Sequence, residues 1–474
     1  TNSLKLLGEE GVNRLYIRSN IKGTARKIIA PLPQAAHVDF EDIIGNTWDL
    51  STIPGGSGDC GGNSGITFSS PINAYYKTST GDLTTPSRLS ESKWFTTSGG
   101  SVPARIPIPQ DTAFIDRNST PTTGIVIAND LERLPNFNAL DYGWKGRLQF
   151  TRLGGQTFYG DILLSSVLAG WSYVFPNGGA WTWRSESNVT LSGRGNHRLV
   201  MGSCHLGESS TLKLDAIGGS YTLVDTLNNS WGNTFVLNSG TLNLKGATFK
   251  GVQFIVSDNS YIKILNLNDS VMYIGGTSNF KAANFTLNPG DSVIVLKGCG
   301  AQTFHGGNNT FAQVIASAHV PNNCTSTVNP LTINGNNTFG KLIIRGNKTV
   351  NFEDSSVNNF KDIDFTSRET YDDFIYDQIV RPTTINSVGG GKYTLNYIGS
   401  GAVDTDHVNV SNGNFTPANK WYFGTHSTDQ VGNTGAIFTV KPPVSANPVT
   451  PSIKVWFNSG SEKVIREDMR ATEG

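Results

Sequence analysis

Apolar residues along this chain alternate with polar ones, or fall in short runs bounded by Gly, Asn, Asp and Ser. That is the pattern of β-strands, whose side chains point to opposite faces in turn, and not the 3.6-residue pattern of a helix. One exception, residues 128–135 (ANDLERLP), spaces its leucines as a helix would and is expected to hold a turn or two of helix. From about residue 140 the strand-like segments recur. They read GRLQF (146–150), DILLSSV (161–167), NVTLSG (188–193), STLKLDA (210–216), YTLVDT (221–226), GTLNLKG (240–246) and YIKILNL (261–267). SVIVLKG (292–298), PLTING (330–335), KLIIRG (341–346), KDIDFTS (361–367) and KYTLNYIG (392–399) continue the series.

A polar residue followed by Phe interleaves with these segments, as in QTF (156–158), NTF (233–235), ATF (247–249), SNF (278–280), NTF (309–311), NTF (337–339) and NNF (358–360). Late in the series the Phe spacings are 24 (280 to 304), 28 (311 to 339) and 21 (339 to 360). Such a period is too long for a hairpin and too short for a βαβ unit, and it suits one coil of a parallel β-helix. A coil cannot bury its own inward face, so coils stack and share one core. Phe158, Phe235, Phe249, Phe280, Phe311, Phe339 and Phe360 are therefore expected to point inward, with the neighbouring Asn turning the corner through a side-chain bond to the backbone or a left-handed conformation.

The predicted fold is all-β: a right-handed parallel β-helix over residues 111–440, after a non-repetitive N-terminal region (1–110) and before a Pro-rich linker and small β tail (441–474). Roughly 23 residues per coil over 140–415 gives about 12 coils, a rod of about 58 Å at ~4.8 Å per step. In the tail, SIKVWFNSGSEKVI (452–465) reads as a hairpin around Asn458–Ser459–Gly460–Ser461.

Composition narrows the function. The 474 residues are only 16% charged, with 53 Gly, and Lys plus Arg equals Asp plus Glu at 37 each. Without a basic excess there is little to release counterions from a polyanion, so nucleic acid is an unfavoured partner, whereas neutral carbohydrate is compatible. The four cysteines (Cys60, Cys204, Cys299 and Cys324) form no CxxC pair, and buried free thiols are expected. The first residues carry no apolar stretch of signal-peptide type and no run of 18 apolar residues occurs, so synthesis in a cytoplasm without membrane insertion is expected.

Three groups of residues could carry chemistry. Glu353, Asp362 and Asp364 are the candidate catalytic carboxylates, since glycoside hydrolysis needs two across one bond. Asp362 and Asp364 alternate on one predicted strand and so share a face; solvated edge charges are the plainer account. Trp171, Trp181 and Trp183 are the candidate carbohydrate-binding residues, because Trp181 and Trp183 also share a face and indoles stack on sugar rings; core packing is the alternative. Asp404, Asp406 and His407 (DTDH) make the tight Asp/His group, but one loop of that kind is common by chance. No metal or cofactor is expected.

Three segments carry a family resemblance: RIPIPQDTAFIDRNS (105–119), the coil pattern NNTF…KLII…KTVNF, and NKWYFGTHSTDQVGNTGAIFT (419–439). The chain resembles phage tail and tail-spike proteins and related virion-associated β-helix proteins. The resemblance implies a virion structural protein, built as a homotrimer, whose N-terminal region attaches to other tail or capsid proteins. Its β-helix would then recognise host surface polysaccharide or serve as a rigid connector. A polysaccharide depolymerase, and a capsid decoration protein or head fibre, are the alternatives. No catalytic motif carries over.

Overall fold

The computed structural model describes the chain apart from residues 1–3, 83, 123–124, 141–145, 151–154, 165–180, 184–187, 203–210, 298–300, 317–329, 346–347, 367–369, 372–373, 376–381, 443–452, 457–461 and 466–474. The described chain is nearly all β. Its one helical element is a 3-10 turn, Gly11–Asn13.

One large, mostly parallel sheet connects strands from Asn73–Tyr76 to Thr428–Val431. Its strands pair with a strand lying a few elements further along the chain. Thr310–Ala316 pairs with Thr338–Arg345, that strand with Val357–Thr366, then Tyr393–Tyr397, then Gly413–Thr416, all in parallel. The register sets like over like: Phe311 lies opposite Phe339, which lies opposite Phe360. The rings stack at 5.8 Å and 25°, then at 5.3 Å and 9°. Phe235 and Phe254 do the same at 5.3 Å and 3°. All seven phenylalanines expected to point inward are buried, none above 1% exposure, in one continuous apolar core.

Polar rows run between neighbouring strands as well. Asn266 donates to Asn243 Oδ1 and Asn288 donates to Asn266 Oδ1, each at 2.6 Å. An amide both donates and accepts, so a column of identical amides satisfies itself from one strand to the next. At the corners Asn268, Asn284, Asn308 and Asn412 adopt left-handed φ angles of 52–64°. Asn309 instead donates to the carbonyls of Phe280 (3.1 Å) and Gly306 (2.8 Å). Both expected uses of asparagine occur.

The helix expected over 128–135 does not form. Val126–Asn129 and Arg133–Leu134 are strands, and between them the Leu131 amide donates to Asn129 Oδ1 at 3.2 Å. That local bond turns the chain, so Leu131 and Leu134 enter the core from separate elements.

Residues 5–67 lack a sequence repeat yet pair in the same stepped, parallel manner. Leu15–Arg18 pairs with Val38–Glu41 and that with Ser57–Asp59; Arg26–Lys27 pairs with Ile43–Asp49 and that with Ser64–Thr67. This part has its own core around Val38, Phe40, Ile43, Trp48 and Leu50, to which Phe68 adds, while Ile72 already packs on the main core. Asn73–Tyr76 and Trp94–Phe95, inside the segment 1–110, accordingly pair with strands of the large sheet. At the other end, Ile453–Trp456 and Glu462–Ile465 form the antiparallel pair expected of the tail.

Candidate functional site

The candidate carboxylates do not converge on a reactive pair. Asp362 and Asp364 lie on Val357–Thr366 and point to solvent, as the alternation requires. Asp362 sits opposite Lys341 in the register and pairs with its ammonium at 2.8 Å, with both side chains more than a third exposed. Such a surface pair is solvated and its charge is compensated, so Asp362 is committed to Lys341 and not to a second carboxylate. Glu353 follows a different strand, Thr349–Phe352, and its Oε2 accepts from the Gly335 amide at 2.7 Å, so it ties a loop.

Of the candidate sugar-binding residues, Trp171 lies outside the described residues. Trp181 and Trp183 are on a strand that pairs in parallel with Arg147–Phe150, Trp181 opposite Leu148 and Trp183 opposite Phe150. Among the cysteines, Cys60 is a buried free thiol, and burial pushes its pKa up.

A dense polar site lies elsewhere, where residues 14–60 meet the flank of the large sheet. It begins with Val38–Glu41, a strand whose four residues are all buried. Val38 and Phe40 face the small apolar core, so Asp39 and Glu41 face the opposite way, towards the main body. Asp39, fully buried, accepts from Arg14 (2.7 Å to Oδ1) on its own side and from Arg133 Nε (2.8 Å to Oδ2) on the other. Arg14 also donates to the carbonyls of Gly55 (2.7 Å) and Gly56 (2.9 Å), and Arg133 to the Arg14 carbonyl (3.0 Å). The Arg133 guanidinium covers the Tyr16 ring at 4.6 Å, and the Tyr16 hydroxyl donates to Glu41. Burial and the nearby carboxylate hold the Tyr16 phenol far above its ordinary pKa, so it stays a donor.

The same contact continues along the body. Lys22 Nζ meets Ser192 Oγ at 2.5 Å and Asp215 Oδ2 at 3.1 Å, and Arg194 pairs with Asp42 at 2.6 Å. Arg133, Tyr159 (its hydroxyl 3.3 Å from that of Tyr16), Ser192, Arg194 and Asp215 come from successive strands or corners of the large sheet, so the N-terminal part lies along it. Asp39, Glu41, Asp42 and Asp215 are matched by Arg14, Lys22, Arg133 and Arg194. Burial alone would raise the Asp215 pKa, but Lys22 beside it, with Asn238, Lys213 and Ser239, brings it below the ordinary value.

A charge-balanced, hydrogen-bonded contact of this kind binds rather than reacts. Its carboxylates and cations are all committed to one another. Sequence reading missed it because the partners are separated by 94 to 193 positions. No local signal was available: VDFE (38–41) alternates two carboxylates with two core residues, which is equally the pattern of a strand with one solvated face.

A smaller group gathers the DTDH loop with a residue from the next turn of chain. His426 Nδ1 stands 2.6 Å from Asp406 Oδ2, and the His407 and His426 rings stack at 4.9 Å and 11°. Asp404 is exposed and not part of this trio.

The chain matches no family model, no curated protein and no solved structure.

Proposed function

We propose that the chain is a right-handed parallel β-helix serving as a structural protein of a phage virion, of the tail or spike type. The observation that carries this reading is the stepped parallel register from Asn73–Tyr76 to Thr428–Val431 around one uninterrupted core. A body of that kind has backbone hydrogen bonds and a stacked aromatic column directed along its length, so it resists bending and suits a projecting element or rigid connector. Its N-terminal part would face the particle. The ion-paired contact of Asp39, Arg14 and Arg133 would transmit load from the attachment region into the rod. Copies are expected to associate as homotrimers, and the projecting surface to meet host polysaccharide, both as the resemblance to tail-spike proteins implies.

Virions released from cells carrying this gene should retain the chain through gradient purification. Recovery of the chain only as free protein, never with particles, would overturn the reading. Light scattering on the purified chain should give a mass near three chains, and a clean monomer at micromolar concentration would count against the spike assignment. Host polysaccharide incubated with the protein should yield no new reducing ends. Activity abolished by Asp362→Asn or Asp364→Asn would replace the structural reading with a depolymerase.

A further inference from the structure

We propose that Asp406, His407 and His426 form a site for one divalent transition-metal ion of the zinc type, which clips together the last two turns of the large sheet. One ligand atom from each of the three residues lies within 4.8 Å of the other two. Ligand atoms around a tetrahedral zinc ion at ~2.1 Å stand about 3.4 Å apart, so a small rotation of one side chain completes the set. His426 can make that rotation, since its side chain is 66% exposed.

Asp406 is fixed where the ion needs it. Its Oδ1 accepts from the His407 amide (2.9 Å) and the His426 amide (2.8 Å), which leaves Oδ2 turned to the imidazole. Gly424, at φ 68°, lets the next turn of chain lie against this carboxylate: a Cβ there would come within 2.6 Å of Asp406 Cγ. His407 holds a left-handed φ of 59°, which histidine adopts more readily than most residues, and its ring lies over that of His426. Among the described residues Asp406 forms its ion pair with His426, so its charge faces the imidazoles.

The position gives the ion a purpose. His407 directly precedes Val408–Ser411 and His426 lies just before Thr428–Val431, and these strands pair in parallel, Asn409 opposite Thr428. Thr428–Val431 is exposed along its whole length and ends the series. A terminal strand has a neighbour on one side only, so a metal bridge between it and the strand before it restrains the place where the stack would fray first. Two imidazoles and one carboxylate suit zinc, cobalt, nickel or copper better than magnesium or calcium, which prefer all-oxygen sites.

The test is titration of the full chain, freed of metal by chelation, with zinc chloride in a calorimeter and with cobalt chloride in a visible spectrometer. One equivalent of zinc should bind, and cobalt should give absorption bands of a nitrogen- and oxygen-ligated ion. His426→Ala, an exposed substitution that leaves the fold intact, should weaken zinc binding by at least about tenfold and abolish the cobalt bands. His407→Gln should weaken it similarly, and His305→Gln, far from the group, should not. Absence of zinc uptake by the parent chain, or uptake by His426→Ala within twofold of the parent, would overturn the proposal.

Discussion

Arg133 and Asp39 stand 94 positions apart and meet at 2.8 Å, both side chains out of solvent. A buried charge is tolerated only while its partners remain, because neither side chain has water to fall back on. The contact therefore ties the docking of residues 14–60 to the stability of the whole chain.

Asp39→Asn keeps the shape of the side chain and removes its charge, leaving Arg14 and Arg133 facing each other across a neutral amide. We expect a loss of about 3–5 kcal/mol in urea denaturation, with tryptic cleavage appearing in residues 14–60 before the main body is cut. A loss below about 1 kcal/mol would show the pair to be solvated.

Phe339 stacks between Phe311 and Phe360. Phe339→Ala should cost about 3–5 kcal/mol through the cavity it leaves. Phe339→Leu, which refills most of the volume, should cost less than about 1.5 kcal/mol. Equal losses for the two would contradict a close-packed aromatic column.

The strands and the inward phenylalanines were legible in the sequence because both signals are local: alternation needs five residues, and the Phe landmark recurs along the chain. Residues 128–135 misled for the same reason. Leucines at 131 and 134 carry helical spacing, and only the Asn129 side chain, bonding the Leu131 amide, decides for a turn. The parallel pairing of residues 5–67 left no trace, since its strands share no residue pattern. DTDH showed two of the three members of the Asp406 group, and His426 enters from 20 positions away, through a register that pairing alone reveals.

Lys348 lies in the core, 1% exposed, and donates to Gln302 Oε1 at 2.8 Å; burial pushes its pKa down to about 8. The unfolded chain holds this proton up to about pH 10.4. Between the two values the unfolded state binds more protons, so stability rises with pH across that window. Lys348→Met removes the penalty and should stabilise the protein at pH 7 by about 1–3 kcal/mol, an advantage that fades between about pH 8 and 10. Destabilisation at pH 7 would mean that the ammonium has a role in the fold.

Burial, aided by the Arg14 guanidinium, lowers the His37 pKa, and burial lowers that of His197 against the pull of Asp161. Both imidazoles stay neutral in the folded chain while the unfolded chain protonates near pH 6.5. Stability is therefore full above about pH 6.5 and falls as the pH drops through the lowered folded values. Asp215, also lowered, adds its own loss at more acidic pH, below about 4. Urea midpoints at pH 7.5, 6.5 and 5.5 should decrease in that order, less steeply in His197→Gln. A midpoint that rises on acidification would contradict this assignment.

A cryo-electron-microscopy map of the purified chain, at a resolution that separates strands, tests the parallel stack most directly. The expected map shows a rod with rungs about 4.8 Å apart, Phe339 directly over Phe360, and the N-terminal part seated on its flank with Asp39 between Arg14 and Arg133. A map of antiparallel sandwiches, or of an N-terminal part detached from the rod, would contradict it.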